Sequence, residues 1–177
     1  MPRVRMLTTR DDVPASAHGT FDAIAESRGR ISGPFAVLLH APEIAGRAAH
    51  LGAYIRFEGI LPAPVRELAT LATAQAWGCA YEWGAHEPQA LKVGIDAATI
   101  AAVASDASLD ALPADDALVI RVARDLVTNH VLDAATFEAA QARFGEQGVV
   151  ELISTVGYYS MLACVLNAAE VVPSTSA

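Results

Sequence analysis

Cysteine is scarce in this sequence, and its scarcity limits where the protein can work. The chain of 177 residues has two cysteines, Cys79 and Cys164, which lie far apart and form no disulfide framework. We therefore expect a reducing, cytoplasmic environment. The N-terminal residues contain no apolar core of signal-peptide length, so we also expect no export signal.

Positive charge is scarce as well. Charged residues make up 18% of the chain, and the formal net charge is −8. A protein that binds nucleic acid or an anionic membrane surface needs a basic face, so we expect neither partner. The uncharged stretch 152–169 barely reaches the length of a bilayer span, and polar residues dilute it. We interpret that stretch as a buried helix.

The period-two alternation that is typical of β-strands is not sustained anywhere in the sequence. Proline, aspartate and glycine instead occur where helices begin and end. The pattern predicts an all-α fold, a single-domain bundle of about eight helices. We expect an N-terminal arm with a short helix over residues 1–32, a helical domain over 33–171, and a frayed tail over 172–177. The last two helices are predicted to run from Asp133 to Phe144 and from Gly148 to Ala169.

Apolar residues make up 53% of the chain, a high share for a monomer of this size. We interpret the excess as helix surface that is buried between subunits. The composition therefore favours a homo-oligomer.

Residues 66–86, RELATLATAQAWGCAYEWGAH, carry the side chains best suited to chemistry. Cys79 and Glu82 are three residues apart, and Glu82 and His86 are four apart, so a helix would place all three on one face. Glu67 lies on the preceding helix. The spacing predicts that a thiol, two carboxylates and an imidazole converge.

The segment RELATLATAQAWGCAYEWGAHEPQALKVGID resembles the central helical hairpin of the carboxymuconolactone decarboxylase family, which includes the alkylhydroperoxidase D-like proteins. FAVLLHAPEIAGRAAHLGAYIRF upstream and GYYSMLACVLNAAEV downstream resemble the longer decarboxylase-like members. The resemblance covers residues 33–171. It implies an all-α fold of the alkylhydroperoxidase D-like type that assembles as trimers or hexamers.

The sequence departs from the peroxidase branch of that family at one informative position. The branch's Glu, Cys, Cys and His pattern is matched here by Glu67, Cys79, Glu82 and His86, so that a glutamate replaces the second cysteine. Tyr81 stands where the branch often has histidine. A carboxylate cannot resolve a mixed disulfide or a sulfenic acid. A thiol peroxidase that uses Cys79 is therefore the alternative hypothesis.

The decarboxylase branch implies chemistry without a metal or an organic cofactor, on a small acidic substrate that loses carbon dioxide to leave an enolate-type anion. Such chemistry needs a cation or hydrogen-bond donor that binds the substrate carboxylate. It also needs hydrogen-bond donors for the developing oxyanion and a positioned acid that returns a proton. His86 is the candidate acid or oxyanion donor, Glu82 holds it, and Glu67 completes a proton relay. Arg56 and Arg66 are the candidates that bind the substrate carboxylate.

Simpler interpretations exist for several of these residues. A Glu and a His four residues apart are often a surface pair worth about 0.2–0.5 kcal/mol. Cys79 can be a small buried apolar residue. Tyr81 and His40 are candidates for the substrate pocket, but Tyr81 can equally be a core aromatic and His40 can cap helix carbonyls. A metal site is not predicted, because the sequence has no HExxH motif and no Cys/His cluster. A non-catalytic helical oligomer is the remaining hypothesis.

Overall fold

The computed structural model describes residues 1–173 and contains, within that range, helices and turns but no β-strand. The all-α prediction is confirmed. The α-helices are α1 His18–Arg28, α2 Pro34–Leu38, α3 Pro42–Ala53, α4 Ala63–Ala76, α5 Ala80–Lys92, α6 Ala97–Ala104, α7 Ala114–Thr128 and α8 Ala134–Ala168. A π-helical turn, Tyr54–Glu58, continues α3 directly.

Helix starts and stops follow the local signals in the sequence. Proline occupies the first turn of α2, α3 and α4, where its missing N–H is not needed. The side chains of Asp96 and Asp133 accept backbone N–H groups in the first turns of α6 and α8. Gly29 ends α1 in the left-handed region, with φ of 77°.

Helix α8 contains a break in place of the predicted gap between two helices. Gly145 has φ of 73° and ψ of 175°, which is not helical, and the chain is helical on both sides of it. Glycine adopts a positive φ without the steric cost that a side chain brings. The helix after the break is the predicted uncharged helix, and it brings its buried face, including Leu152 and Val156, against α4.

Helix α4 is the centre of the bundle and packs against α5, α7 and α8. Every residue from 68 to 74 is buried, including Leu68 and Leu71. Large apolar side chains from α7 and α8 surround this segment, among them Ile120 and Leu152. Burial on this scale stabilises the fold by roughly 1.5–3 kcal/mol for each large side chain. The helix that carries Glu67 is therefore fixed on several sides.

The N-terminal residues, expected to form an arm, pack against the bundle. Leu7 and Val13 are buried beside Phe35, and the N–H of Leu7 donates to the carbonyl of Ala36 at 2.9 Å. At the other end, residues 172 and 173 are exposed. The rest of the predicted tail, 174–177, lies outside the described residues.

Helix α8 is the one helix among residues 1–173 that is long and apolar enough to cross a membrane by length and composition. More than half of its most apolar window, 56%, is buried inside the protein. Core helices pass the same test, and the packing of α8 against α4 and α7 accounts for its apolar character.

Candidate active site

The imidazole of His86 on α5 lies between two carboxylates. Its Nδ1 is 2.7 Å from Oε2 of Glu67, and its Nε2 is 3.4 Å from Oε2 of Glu82. The side chain of His86 is 13% exposed, that of Glu67 19% and that of Glu82 5%. Three of the four groups that were predicted to converge, the two carboxylates and the imidazole, therefore meet, and they lie inside the protein rather than on an open surface.

The hairpin of α4 and α5 produces this geometry. Gly78 turns the chain with φ of 56°, and the N–H of Cys79 donates to the carbonyl of Ala74 at 2.8 Å. Helix α5 then runs back along α4. Glu82 and His86 share one face of α5 because they are four residues apart. Glu67 on α4 approaches His86 from the facing helix.

Two carboxylates beside one imidazole determine its charge. Burial opposes the charged form of His86, but hydrogen bonds with Glu67 and Glu82 and the charges of both carboxylates outweigh it. Together they raise the pKa of His86 to about 9. The side chain is therefore an imidazolium at neutral pH, with both N–H groups directed at carboxylates.

Two tyrosines of α8 complete the cluster. The ring of Tyr159 meets the ring of His86 edge-on, with centroids 5.0 Å apart, and Tyr158 meets Tyr159 in the same way at 5.2 Å. Burial and then the charge of Glu82 raise the pKa of Tyr159 above its ordinary value. Sequence reasoning missed both residues, because a tyrosine in an uncharged helix looks like any core aromatic.

The candidate arginines lie on the elements beside the cluster. The guanidinium carbon of Arg56 is 4.9 Å from the centroid of Phe57, and the charge of Arg56 acts on the hydroxyl groups of both tyrosines. Arg66 donates a hydrogen bond to the backbone carbonyl of Leu61. Neither arginine forms an ion pair with a carboxylate within residues 1–173.

A cavity of about 410 Å³ lies beside α4, the helix that carries Glu67, but Glu67, Glu82 and His86 are not among its lining residues. It is bordered by the π-helical turn, the start of α4 and the middle of α8, and its lining is largely apolar. On α8 the lining residue Thr155 is one helical turn before Tyr159, and on α4 the lining residue Arg66 precedes Glu67. The other lining residues are Leu51, Tyr54, Ile55, Leu61, Glu146, Gln147, Val150, Glu151 and Ser154.

Cys79 is the residue before α5 and is 1% exposed. Burial raises the pKa of its thiol, although backbone N–H groups of Glu82 and Tyr81 face the sulfur and act in the opposite direction. The side chain packs among apolar residues of α8 and also borders a small cavity of about 260 Å³. Cys164 is exposed, and both cysteines are free.

Tyr81 and His40 contact other parts of the chain. The ring of Tyr81 covers Gly33, where a Cβ would come within 2.6 Å of the Tyr81 hydroxyl. His40 is exposed, and its Nε2 is 2.8 Å from the carbonyl oxygen of Arg5. In the described part of the chain, no hydrogen bond or ion pair joins either residue to His86. Nor do residues 1–173 contain a group of three or more His, Cys, Asp or Glu side chains arranged to hold a metal ion.

Comparisons with known proteins agree with this architecture. Residues 42–125, which include Glu67, Cys79, Glu82 and His86, match the model of the carboxymuconolactone decarboxylase family. No curated protein matches the chain.

Solved structures match over almost the whole chain. A peroxidase-related protein of Ralstonia eutropha JMP134, described as an alkylhydroperoxidase AhpD core, superposes with a TM-score of 0.78 at 18% identity, covering 99% of this chain and 94% of that one. A peroxidase-related protein of Silicibacter sp. TM1040 gives 0.75 at 15% identity, covering 98% and 92%. The debrominase Bmp8, as a cysteine-to-alanine variant in complex with 2,3,4-tribromopyrrole, gives 0.69 at 14% identity, covering 96% and 92%. At these identities the likeness shows the fold.

Proposed function

We propose that this chain, whose residues 42–125 match the carboxymuconolactone decarboxylase family and whose fold is that of an alkylhydroperoxidase D-like protein, catalyses cofactor-free acid–base chemistry on a small carboxylic acid or lactone. The reaction we favour is a decarboxylation. The observation that supports it most is the buried imidazolium of His86, held between Glu67 and Glu82.

The two contacts of His86 suggest different roles for the two carboxylates. The short bond from Nδ1 to Glu67 fixes the orientation of the ring, as a carboxylate behind a catalytic histidine does. The longer contact leaves the Nε2–H more weakly held by Glu82. In the proposed reaction the bond from the substrate to its carboxylate breaks, and carbon dioxide leaves. The electron pair stays on the substrate as an enolate, and the Nε2–H of His86 returns a proton to it.

Glu67 also suits the recovery of the proton. Its side chain is 19% exposed, whereas that of Glu82 is 5% exposed. A proton can therefore pass from solvent through Glu67 to His86 after each turnover. Because the cluster of Glu67, Glu82 and His86 has a net charge of −1, an acidic substrate needs cations nearby. Arg56 and Arg66 are the proposed cations, and Arg66 also lines the 410 Å³ cavity.

Carbon dioxide release from carboxymuconolactone and related lactone acids tests this proposal. We expect His86→Gln and Glu82→Gln to lower kcat by about two to four orders of magnitude, the usual contribution of a positioned acid or base. The matched control is Glu43→Gln. Glu43 forms an ion pair with Arg47 at the same i,i+4 spacing, and both side chains are more than four-fifths exposed. The proposal fails if Cys79→Ser alone abolishes turnover.

Thiol chemistry at Cys79 is the second candidate function. Its support is the position of the sulfur at the N-terminus of α5, facing two N–H groups and a small cavity. The debrominase Bmp8, which has a similar fold, was solved in complex with 2,3,4-tribromopyrrole as a variant in which alanine replaces a cysteine. Peroxide consumption that requires Cys79, with a sulfenic acid detected by mass spectrometry, would favour this candidate over the acid–base proposal.

We further propose that the protein works as a homo-oligomer, a trimer or hexamer, in the cytoplasm. Two exposed apolar side chains, Leu51 and Val150, line the 410 Å³ cavity, and Phe57 and Ile60 are exposed in the segment between its lining residues Ile55 and Leu61. Contiguous exposed apolar surface commonly marks a contact between proteins. Light scattering coupled to size exclusion measures the subunit number, and a monomer would remove this part of the proposal.

A further inference from the structure

Arg28, the last residue of α1, is a partly buried cation without a carboxylate partner. Its Nε is fully buried and has no hydrogen-bond acceptor. Its guanidinium carbon lies 4.0 Å from the centroid of the Phe35 ring, so that one face of the group is covered. Within residues 1–173 it forms no ion pair. A buried donor that lacks a partner costs about 1–3 kcal/mol, and more when the group is charged.

Arg28 packs closely against Tyr158. Nη2 of Arg28 lies 3.5 Å from the hydroxyl of Tyr158. Helix α3 passes both groups at Gly52, where a Cβ would overlap the Tyr158 hydroxyl and lie 2.8 Å from Nη2. Glycine inside a helix costs about 1 kcal/mol relative to alanine. The glycine at position 52 therefore destabilises α3, but the close approach of Arg28 and Tyr158 leaves no room for a larger residue.

Arg28 is linked to the proposed active site through the two tyrosines. Tyr158 meets Tyr159 edge-on, and Tyr159 meets His86. The charges of Arg28 and Arg56 both act on the hydroxyl of Tyr158. The charge of Glu82 acts on the same hydroxyl, so the two cations and the acidic cluster around His86 both lie near the tyrosine pair.

From this arrangement we propose that Arg28, together with the hydroxyl of Tyr158, binds a carboxylate of the substrate. The inference rests on the proposed function, because it identifies the far end of that same substrate. A guanidinium offers a planar fork of N–H groups that matches a carboxylate. Arg28 contacts Tyr158, whereas the ring next to His86 is that of Tyr159, so we assign to Arg28 a carboxylate other than the group that reacts. The substrate class is therefore an acid with a carboxylate at the end opposite its reacting carbon.

Equilibrium binding tests the inference without any turnover. The probes are acetate, glutarate and benzoate, each compared with its neutral amide by isothermal titration calorimetry at fixed ionic strength. We expect at least one carboxylate to bind the wild-type protein at least tenfold more tightly than its amide. Arg28→Gln should remove that preference, whereas Arg28→Lys should keep part of it. The matched control is Arg30→Gln, because Arg30 is exposed two residues further along and should leave binding unchanged.

Gly52→Ala and Tyr158→Phe guard against a loss of binding that is caused by unfolding. Gly52→Ala keeps the charge of Arg28 but displaces the Arg28–Tyr158 pair. Each of the two variants should weaken carboxylate binding at least threefold, and the circular dichroism spectrum of each should stay helical. The inference is overturned if no carboxylate is preferred over its amide, or if Arg28→Gln binds the preferred carboxylate as well as the wild type. His86→Gln should still bind it. Turnover that survived in His86→Gln, with binding intact, would therefore count against the proposed function alone.

Discussion

Nδ1 of His86 lies 2.7 Å from Oε2 of Glu67, and this contact joins α5 to α4 inside the bundle. A charged pair at this distance, with little solvent around it, is stronger than one at the surface. Because Glu82 lies on the other side of the same ring, both carboxylates stabilise the protonated form of His86. Protonation of one side chain is therefore coupled to the packing of two helices.

The stability of the fold should depend on pH through His86. Its folded pKa, about 9, is above its ordinary value of 6.5. The extra stability is fully present below pH 6.5 and is lost as the pH rises towards 9. The total is on the order of 3 kcal/mol, by the linkage between a pKa shift and the free energy of unfolding. Urea unfolding across this pH range measures it.

The control for this pH dependence is His50→Gln, which changes an exposed histidine on α3 and should leave it intact. His86→Gln should remove the pH dependence of the free energy of unfolding between pH 6.5 and 9. An NMR titration that placed the pKa of His86 below 7 would contradict the prediction directly.

The two thiols should differ in reactivity. Burial raises the pKa of Cys79, so that little thiolate is present at neutral pH, whereas Cys164 is exposed. We expect iodoacetamide at pH 7.5 to modify Cys164 at least about tenfold faster than Cys79. Peptide mapping by mass spectrometry measures the two rates.

Modification in concentrated guanidinium chloride provides the control for these rates, because both thiols are then equally accessible. Faster modification of Cys79 in the folded protein would weaken the acid–base proposal and favour thiol chemistry.

The parts of the structure that depend on local sequence were predictable. Proline, aspartate and glycine signals identified the helices, since capping and turn conformations depend on neighbouring residues. The meeting of Glu82 and His86 followed from helical spacing. The contribution of Glu67 followed from the resemblance to a helical hairpin, which places α4 beside α5.

The parts that depend on distant packing were not predictable. Tyr159 reaches His86 from a helix more than seventy residues later in the chain, and Tyr158 packs against Tyr159. Arg28 reaches Tyr158 from the first helix, across 130 residues. No local pattern distinguishes these side chains from ordinary core or surface residues. The contact of His40 Nε2 with the carbonyl oxygen of Arg5 is likewise long-range, across 35 residues, and its place in a substrate pocket stays a prediction.

Two glycines in helices should respond to alanine in opposite ways. Gly52→Ala should lower the free energy of unfolding by about 1–3 kcal/mol, because its Cβ overlaps Tyr158 in a packed site. Gly157→Ala should raise it by about 1 kcal/mol, because nothing lies within 4 Å of the new Cβ and alanine favours the helix. Thermal unfolding of both variants, compared with wild type, checks the two signs. Equal effects would mean that α3 adjusts freely beside Tyr158.

The carboxylate of Glu151 on α8 holds the wall of the 410 Å³ cavity. Oε1 accepts from the hydroxyl of Tyr54 at 2.8 Å and from Gln147 at 3.0 Å. Oε2 accepts from the N–H groups of Ile60 and Leu61 at 2.8 and 3.3 Å. Burial opposes the charge, but these hydrogen bonds keep the pKa of Glu151 below its ordinary value.

Glu151→Gln should therefore destabilise the fold and loosen the loop after the π-helical turn. We expect a loss of about 2–3 kcal/mol, since the amide cannot replace a carboxylate that accepts four hydrogen bonds. The amide protons of Ile60 and Leu61 should exchange faster with solvent in the variant. Glu146→Gln, which changes an exposed glutamate at the same cavity, should leave stability and exchange unchanged.

The sign of the pH dependence gives a second check on Glu151. Because its folded pKa is lowered from 4.5, its stabilising effect is present above that pH and is lost as the pH falls through the folded value. The wild type and Glu151→Gln should therefore converge in stability in strong acid and differ most near neutral pH. If the two proteins differed equally at pH 3 and pH 7, the carboxylate charge would not be what holds the loop. In that case the cavity wall would depend on packing by Leu61 and Tyr54 alone.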